Sequence, residues 1–215
     1  MGHFDSYVSV GYGGMKMAGY ASDFDWSSDN WELEAGASYD GSKALHALGT
    51  FYARNTIVAD ALDQRLKVYF YLYNYTGYTG DRAAMRAVLR HSQLGTDNAS
   101  NIGYIFEASN GHSSSNEFVR IHRCDGSNDV VLYDSEALTK GYWYLLDFRV
   151  KSSGSDAYIA AYVYKQSDMS LVKSIEITDS SPITTPGKFG LGLLAVKTNK
   201  LNVAYLDNLE YYVLG

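Results

Sequence analysis

Leu66-Lys67-Val68-Tyr69-Phe70-Tyr71-Leu72-Tyr73-Asn74-Tyr75 decides the fold class. Even positions are aliphatic or Phe as far as Leu72, and odd positions carry four tyrosines. In an extended chain successive side chains point to opposite faces, so this stretch reads as a strand. One of its faces is apolar, Leu66, Val68, Phe70 and Leu72; the other carries Tyr69, Tyr71, Tyr73 and Tyr75. Working outward, further runs read as strands over Ala84–His91, Gly103–Ala108, Phe118–Cys124, Val130–Tyr133, Tyr142–Val150, Ala157–Tyr164, Leu171–Ile177, Phe189–Val196 and Val203–Val213. Turn clusters separate them, among them Asn110-Gly111, Asp125-Gly126-Ser127-Asn128 and Ser152-Ser153-Gly154-Ser155. A short helix is expected at Ala59–Gln64. Asp81–Arg90 also favours helix by propensity, but it follows directly on the tyrosine strand through a Gly-rich turn, and the strand reading is preferred. The whole is the pattern of an all-β sandwich or barrel.

The bulk properties narrow the function. The chain has 215 residues, 46% hydrophobic and 20% charged, enough for one buried core. A net charge of -6 and a pI near 5.3 argue against a nucleic-acid partner, which demands a basic surface. Cys124 is the one cysteine and can form neither an internal disulfide nor a cysteine-based zinc site. No apolar run is long enough to span a bilayer, so no membrane insertion is expected. Met1-Gly2-His3-Phe4-Asp5 has no basic leader or apolar stretch, which points either to a signal already removed or to another export route, such as cell lysis for a phage virion protein. The expected division is an N-terminal Gly/Tyr-rich arm or first strand over residues 1–22 and a single β-sandwich domain over 23–215. Asn74-Tyr75-Thr76 and Asn98-Ala99-Ser100 fit the N-glycosylation pattern, which matters only in a eukaryotic secretory pathway.

Asp23-Phe24-Asp25-Trp26, Trp31-Glu32-Leu33 and Ala37-Ser38-Tyr39-Asp40-Gly41-Ser42-Lys43-Ala44-Leu45 resemble the opening of concanavalin A-like and laminin-G-like domains. Gly141-Tyr142-Trp143-Tyr144-Leu145-Leu146-Asp147-Phe148-Arg149-Val150 resembles their central strand. Pro186-Gly187-Lys188-Phe189-Gly190-Leu191-Gly192 and Ala204-Tyr205-Leu206-Asp207-Asn208-Leu209 resemble their closing pair. The resemblance implies a two-sheet antiparallel jelly-roll β-sandwich with first and last strands adjacent and glycans bound on the concave sheet or its rim. Lectins, carbohydrate-binding modules, glucanases, lyases and virion appendages share that fold, so function must come from particular residues.

Glucanases of this kind place two catalytic carboxylates in a Glu-x-Asp-x-x-Glu arrangement, which occurs nowhere here. Glu32 and Glu34 share one strand face but read as solvated surface; Asp147 reads as the partner of Arg149 or of a neighbouring strand's cation. His3, His46, His91, His112 and His122 show no metal or triad spacing. Cys124 reads as a buried, inert thiol. Glycan binding asks for less: aromatic platforms for pyranose faces, flanked by polar groups for the hydroxyls. Tyr69, Tyr71, Tyr73 and Tyr75 form such a row, and Arg86 and Arg90 are expected to share one face of the following strand. The competing reading has the tyrosines filling the interior. Asp23, Asp25 and Asp207 form a candidate structural Ca2+ site, since the resemblance brings the chain's ends together and oxygen donors suit calcium.

The expected function is therefore non-catalytic binding of a polysaccharide or cell-surface glycan, in an extracellular or virion-surface setting. Two alternatives stay open: a structural or host-attachment subunit of a virion, with homo-oligomer or virion assembly, and a glycan-cleaving hydrolase or lyase with unfamiliar carboxylates.

Overall fold

The computed structural model describes residues 8–11, 24–29, 31–35, 43–47, 49–56, 58–72, 82–111, 117–196 and 204–214, and every regular element among them is a strand. Eight strands form one sheet: β1 (Val8–Gly11), β3 (Trp31–Ala35), β4 (Lys43–Ala47), β6 (Gln64–Leu72), β11 (Trp143–Ser153), β12 (Asp156–Lys165), β13 (Ser170–Asp179) and β15 (Ala204–Val213). Seven form the other: β2 (Phe24–Trp26), β5 (Thr50–Asn55), β7 (Arg82–Gln93), β8 (Ile102–Gly111), β9 (Phe118–Asp125), β10 (Asp129–Ser135) and β14 (Lys188–Val196). The first sheet runs β13-β12-β11-β6-β15-β4-β3, with β1 also on β15, and the second runs β10-β9-β8-β7-β14-β5-β2. All the ladders are antiparallel, including β1 against β15, which joins the beginning of the chain to its end.

The core lies between the sheets and obeys the period of two. Leu66, Val68, Phe70 and Leu72 of β6 meet Met85, Ala87 and Leu89 of β7, Phe106 of β8 and Leu146 and Phe148 of β11 in one buried cluster. Each such side chain contributes roughly 1.5–3 kcal/mol by leaving water. β6 alternates buried and half-buried along its whole length, so its tyrosines are not interior packing: the apolar face already fills the core.

Two local expectations resolve differently from each other. Ala84–His91 is strand, within β7, because β8 and β14 hydrogen-bond both of its edges and its whole length is buried, which overrides helix propensity. The expected helix at Ala59–Gln64 does not form. Ala61 instead exchanges backbone hydrogen bonds with Gly187, at 2.8 and 3.1 Å, and β6 has already begun at Gln64.

Candidate functional site

Register fixes what shares the solvent face of the eight-stranded sheet. Tyr71 stands opposite Trp143 on one neighbour and Tyr205 on the other. Their rings converge: 5.6 Å from Tyr71 to Trp143, 6.1 Å from Tyr71 to Tyr205 and 6.5 Å from Trp143 to Tyr205. Tyr71 and Trp143 are half-buried, whereas Tyr205 is 8% exposed and forms the inner end of the cluster. Two residues along the strands a second row crosses the sheet, Asp207, Tyr69, Leu145, Tyr164 and Leu171. Beyond it the face turns polar. Asp147 accepts four hydrogen bonds, from Arg65 Nε at 2.8 Å, Arg65 Nη2 at 2.5 Å, Arg149 Nε at 3.0 Å and Arg149 Nη2 at 2.7 Å. Tyr162 donates to Glu176 at 2.6 Å and lies under the Arg149 guanidinium. Burial pushes the Asp147 carboxyl up, but the hydrogen bonds and charges of the two arginines outweigh it and hold the group below the usual carboxylate range. Its lone pairs are committed, and it has no proton to give at neutral pH.

Among the tyrosines picked out from sequence, Tyr69 and Tyr71 thus lie on a solvent-facing aromatic surface, while Tyr73 and Tyr75 lie outside the described residues. Trp143 and Tyr205 belong to the same surface and went unnoticed as partners. Their own alternation places them facing outward, but nothing in one sequence reveals that β11 and β15 flank β6.

The arginines do not join this surface. Arg86 points out of the other sheet, on the opposite side of the sandwich, where Glu107 accepts from it at 3.1 Å and its guanidinium lies 5.0 Å from the Tyr52 ring. Arg82 also pairs with Glu107. His122 bonds Asp129 at 2.6 Å, and Asn98 donates to both Glu107 and Asp129. The 94–101 loop lies over this network, together with a small apolar cluster of Tyr52, Val88, Ile105 and Cys124 packed against Leu94. Burial raises the Glu107 carboxyl, but Arg86, Arg82 and His122 more than reverse that. The Cys124 thiol is buried and pushed up by desolvation, as an inert thiol should be. Arg90 does not share a face with Arg86. A bulge between Leu89 and Gln93 breaks the alternation, and Arg90 takes a φ of 53°. Its backbone N–H then meets Gln64 Oε1 at 2.8 Å, and its guanidinium donates to the carbonyls of Leu62 and Ile183 and to Ser152 Oγ. It clamps one end of the sandwich.

The expected calcium set is likewise dispersed. Asp25 sits on β2 of the seven-stranded sheet, paired with Arg54 at 3.0 Å, and Asp207 sits on β15 of the other sheet. Asp23 lies outside the described residues. Joining the chain's ends brings β1, not β2, to β15. Among the described residues no group of three acidic, imidazole or thiol side chains is arranged to hold a metal ion, and the cluster of Glu107, His122 and Asp129 is taken up by Arg82, Arg86 and Asn98.

No protein-family model matches the chain, and no curated protein matches it in sequence. Solved structures do match in fold. The carbohydrate recognition domain of Emp46p in its potassium-bound form aligns with a TM-score of 0.61 at 8% identity, over 92% of each chain. The exoplasmic/lumenal domain of VIP36 in a Ca2+/Man3GlcNAc-bound form aligns at 0.63 and 11% identity, over 91% of this chain and 86% of that one. A Lotus tetragonolobus seed lectin aligns at 0.57 and 12% identity, over 90% of this chain and 94% of the lectin. These likenesses span nearly the whole sandwich: the chain has the concanavalin A-like lectin fold.

Proposed function

We propose that this protein binds a polysaccharide or cell-surface glycan, without cleaving it, on the solvent face of its eight-stranded sheet. The observation that carries this reading is the convergence of Tyr71, Trp143 and Tyr205 from three adjacent strands onto one partly exposed surface. Such rings offer flat apolar area to the C–H faces of sugars, and the ammonium, guanidinium and phenol groups of Lys67, Arg65, Arg149 and Tyr162 further along the same face suit the hydroxyls. The fold likeness to carbohydrate recognition domains supports the same ligand class. Cleavage would need a carboxyl held protonated near neutral pH beside a second, ionised one. Asp147 and Glu107 are instead both held below the usual range by arginines. A glycan ligand implies an extracellular or lumenal setting. The virion-subunit alternative finds no support among the fold likenesses, and calcium has no part in the proposed site.

A glycan array probed with wild type, Tyr71→Ala and Trp143→Ala, each checked by a thermal melt, tests the reading. Folded variants should bind about 1–3 kcal/mol more weakly, as loss of a central aromatic contact does. Wild-type silence across the array, or folded variants that bind as wild type does, would refute it.

A further inference from the structure

We infer that the site takes the interior of an extended, ribbon-like polysaccharide lying across the strands, at least four sugar units long, and not a single terminal sugar. This rests on the glycan reading above and deepens it. The accessible part of the second row crosses four adjacent strands, from Tyr69 on β6 through Leu145 and Tyr164 to Leu171 on the edge strand β13; Asp207, which continues the row on β15, is 2% exposed and lies outside the strip. Three interstrand gaps of about 4.8 Å make it roughly 14 Å from end to end, and one gap is close to the rise of one pyranose in a fully extended chain, so four rings, one per strand, cover it. Exposure grows toward its far end, where Leu171 is 51% exposed. Met169, in the β12–β13 hairpin beside that end, is exposed as well. Large apolar side chains held in water along one line mark a contact surface.

The polar half of the face runs parallel to this line. Lys67, Asp147 and Tyr162 stand one row further along the same strands, about 7 Å away. An apolar strip beside a polar one matches an extended glycan, whose ring faces are apolar and whose edges carry the hydroxyls. A sheet face of this kind supplies a strip, where a lone terminal sugar is best held by a pocket that surrounds it. A flat strip also favours chains that are themselves flat, such as β-1,4-linked backbones, over helical ones.

The test is titration calorimetry of the full chain with cello-, manno- and xylo-oligosaccharides of one to six units. Affinity for at least one ladder should rise about tenfold or more between two and four units and then level off. Trp143→Ala should weaken every length that binds, while Leu171→Asp, at the strip's exposed end, should weaken only four units and longer. A monosaccharide bound as tightly as its hexamer, still lost in Trp143→Ala, would overturn this inference and leave the glycan reading standing. No binding to any ladder while the array shows binding elsewhere would do the same. Silence on both would defeat both. A wild-type dimer in sedimentation that Leu171→Asp dissociates, with oligosaccharide binding unchanged, would make the strip a self-assembly surface and overturn the inference.

Discussion

Lowering the pH from 7.5 to 5 should cost the fold about 2 kcal/mol through His91 alone. The ring is fully buried, and its Nε2 lies 2.7 Å from Asn101 Oδ1. That oxygen also accepts from the Gly95 N–H at 3.1 Å, while Asn101 Nδ2 donates to the Asp97 carbonyl, so the amide orientation is settled and the imidazole proton belongs on Nε2. Nδ1 faces Gly190, where a Cβ would collide with it. A second proton would place a charge on a fully buried ring. Burial therefore lowers the pKa from 6.5 to about 4, against smaller opposing effects of the hydrogen bonds to Asn101 and to the Gln93 backbone. The unfolded chain takes up this proton as the pH falls through about 6.5 and the folded chain only near 4, so between those values the unfolded state binds more protons and stability falls with falling pH. Integrating the two titration curves gives about 2 kcal/mol lost by pH 5 and about 3 kcal/mol once the folded pKa is passed. Urea unfolding at pH 7.5 and 5, on wild type and His91→Gln, reads this directly. The variant starts less stable, but wild type should lose about 2 kcal/mol more than the variant between the two pH values. Equal losses would refute the buried neutral imidazole.

Asp147 is expected to contribute further down in the acid range. Its folded pKa lies below the ordinary value, so its stabilisation is present above about pH 4 and is lost as the pH falls through the folded value; Asp147→Asn should flatten that part of the acid-unfolding curve. Chelator should leave the melting temperature unchanged, because Asp25 and Asp207 stand on different sheets; a melting temperature lowered by chelator and restored by calcium would show a metal site elsewhere in the chain. Phe70→Ala should cost about 3–5 kcal/mol of folding stability, as deletion of a core ring does, and Tyr71→Ala much less, since neighbours on β6 face opposite ways. Similar losses in calorimetry would mean that the tyrosine face is packed interior.

Local periodicity made most of the strands legible. β6 to β15 each overlap a run whose alternation or turn boundaries stand out in sequence, because burial on one face imposes a period of two. The same logic told the apolar side of β6 from its tyrosine side, but not what lies next to either. Tyr71 meets Trp143 and Tyr205 through pairings 72 and 134 residues away, fixed by sheet order and not by any local pattern. Arg90 shows the complementary failure. Counting by twos put it beside Arg86, and a single bulge with a left-handed residue undid the count. Sheet order also bears on the expected calcium residues: the chain ends do meet, but through β1, while the strand bearing Asp25 belongs to the other sheet from the one bearing Asp207.

The most direct test of glycan binding on the aromatic face is an NMR titration of the isotope-labelled protein with whichever saccharide it binds most tightly. The largest shifts should fall on the Trp143 indole N–H and on amides of β6, β11 and β15 around Tyr69, Tyr71 and Tyr205, with the opposite sheet quiet. Shifts concentrated instead in the 94–101 loop and around Asp129 and Arg120 would place the ligand on the other side of the sandwich and contradict the account.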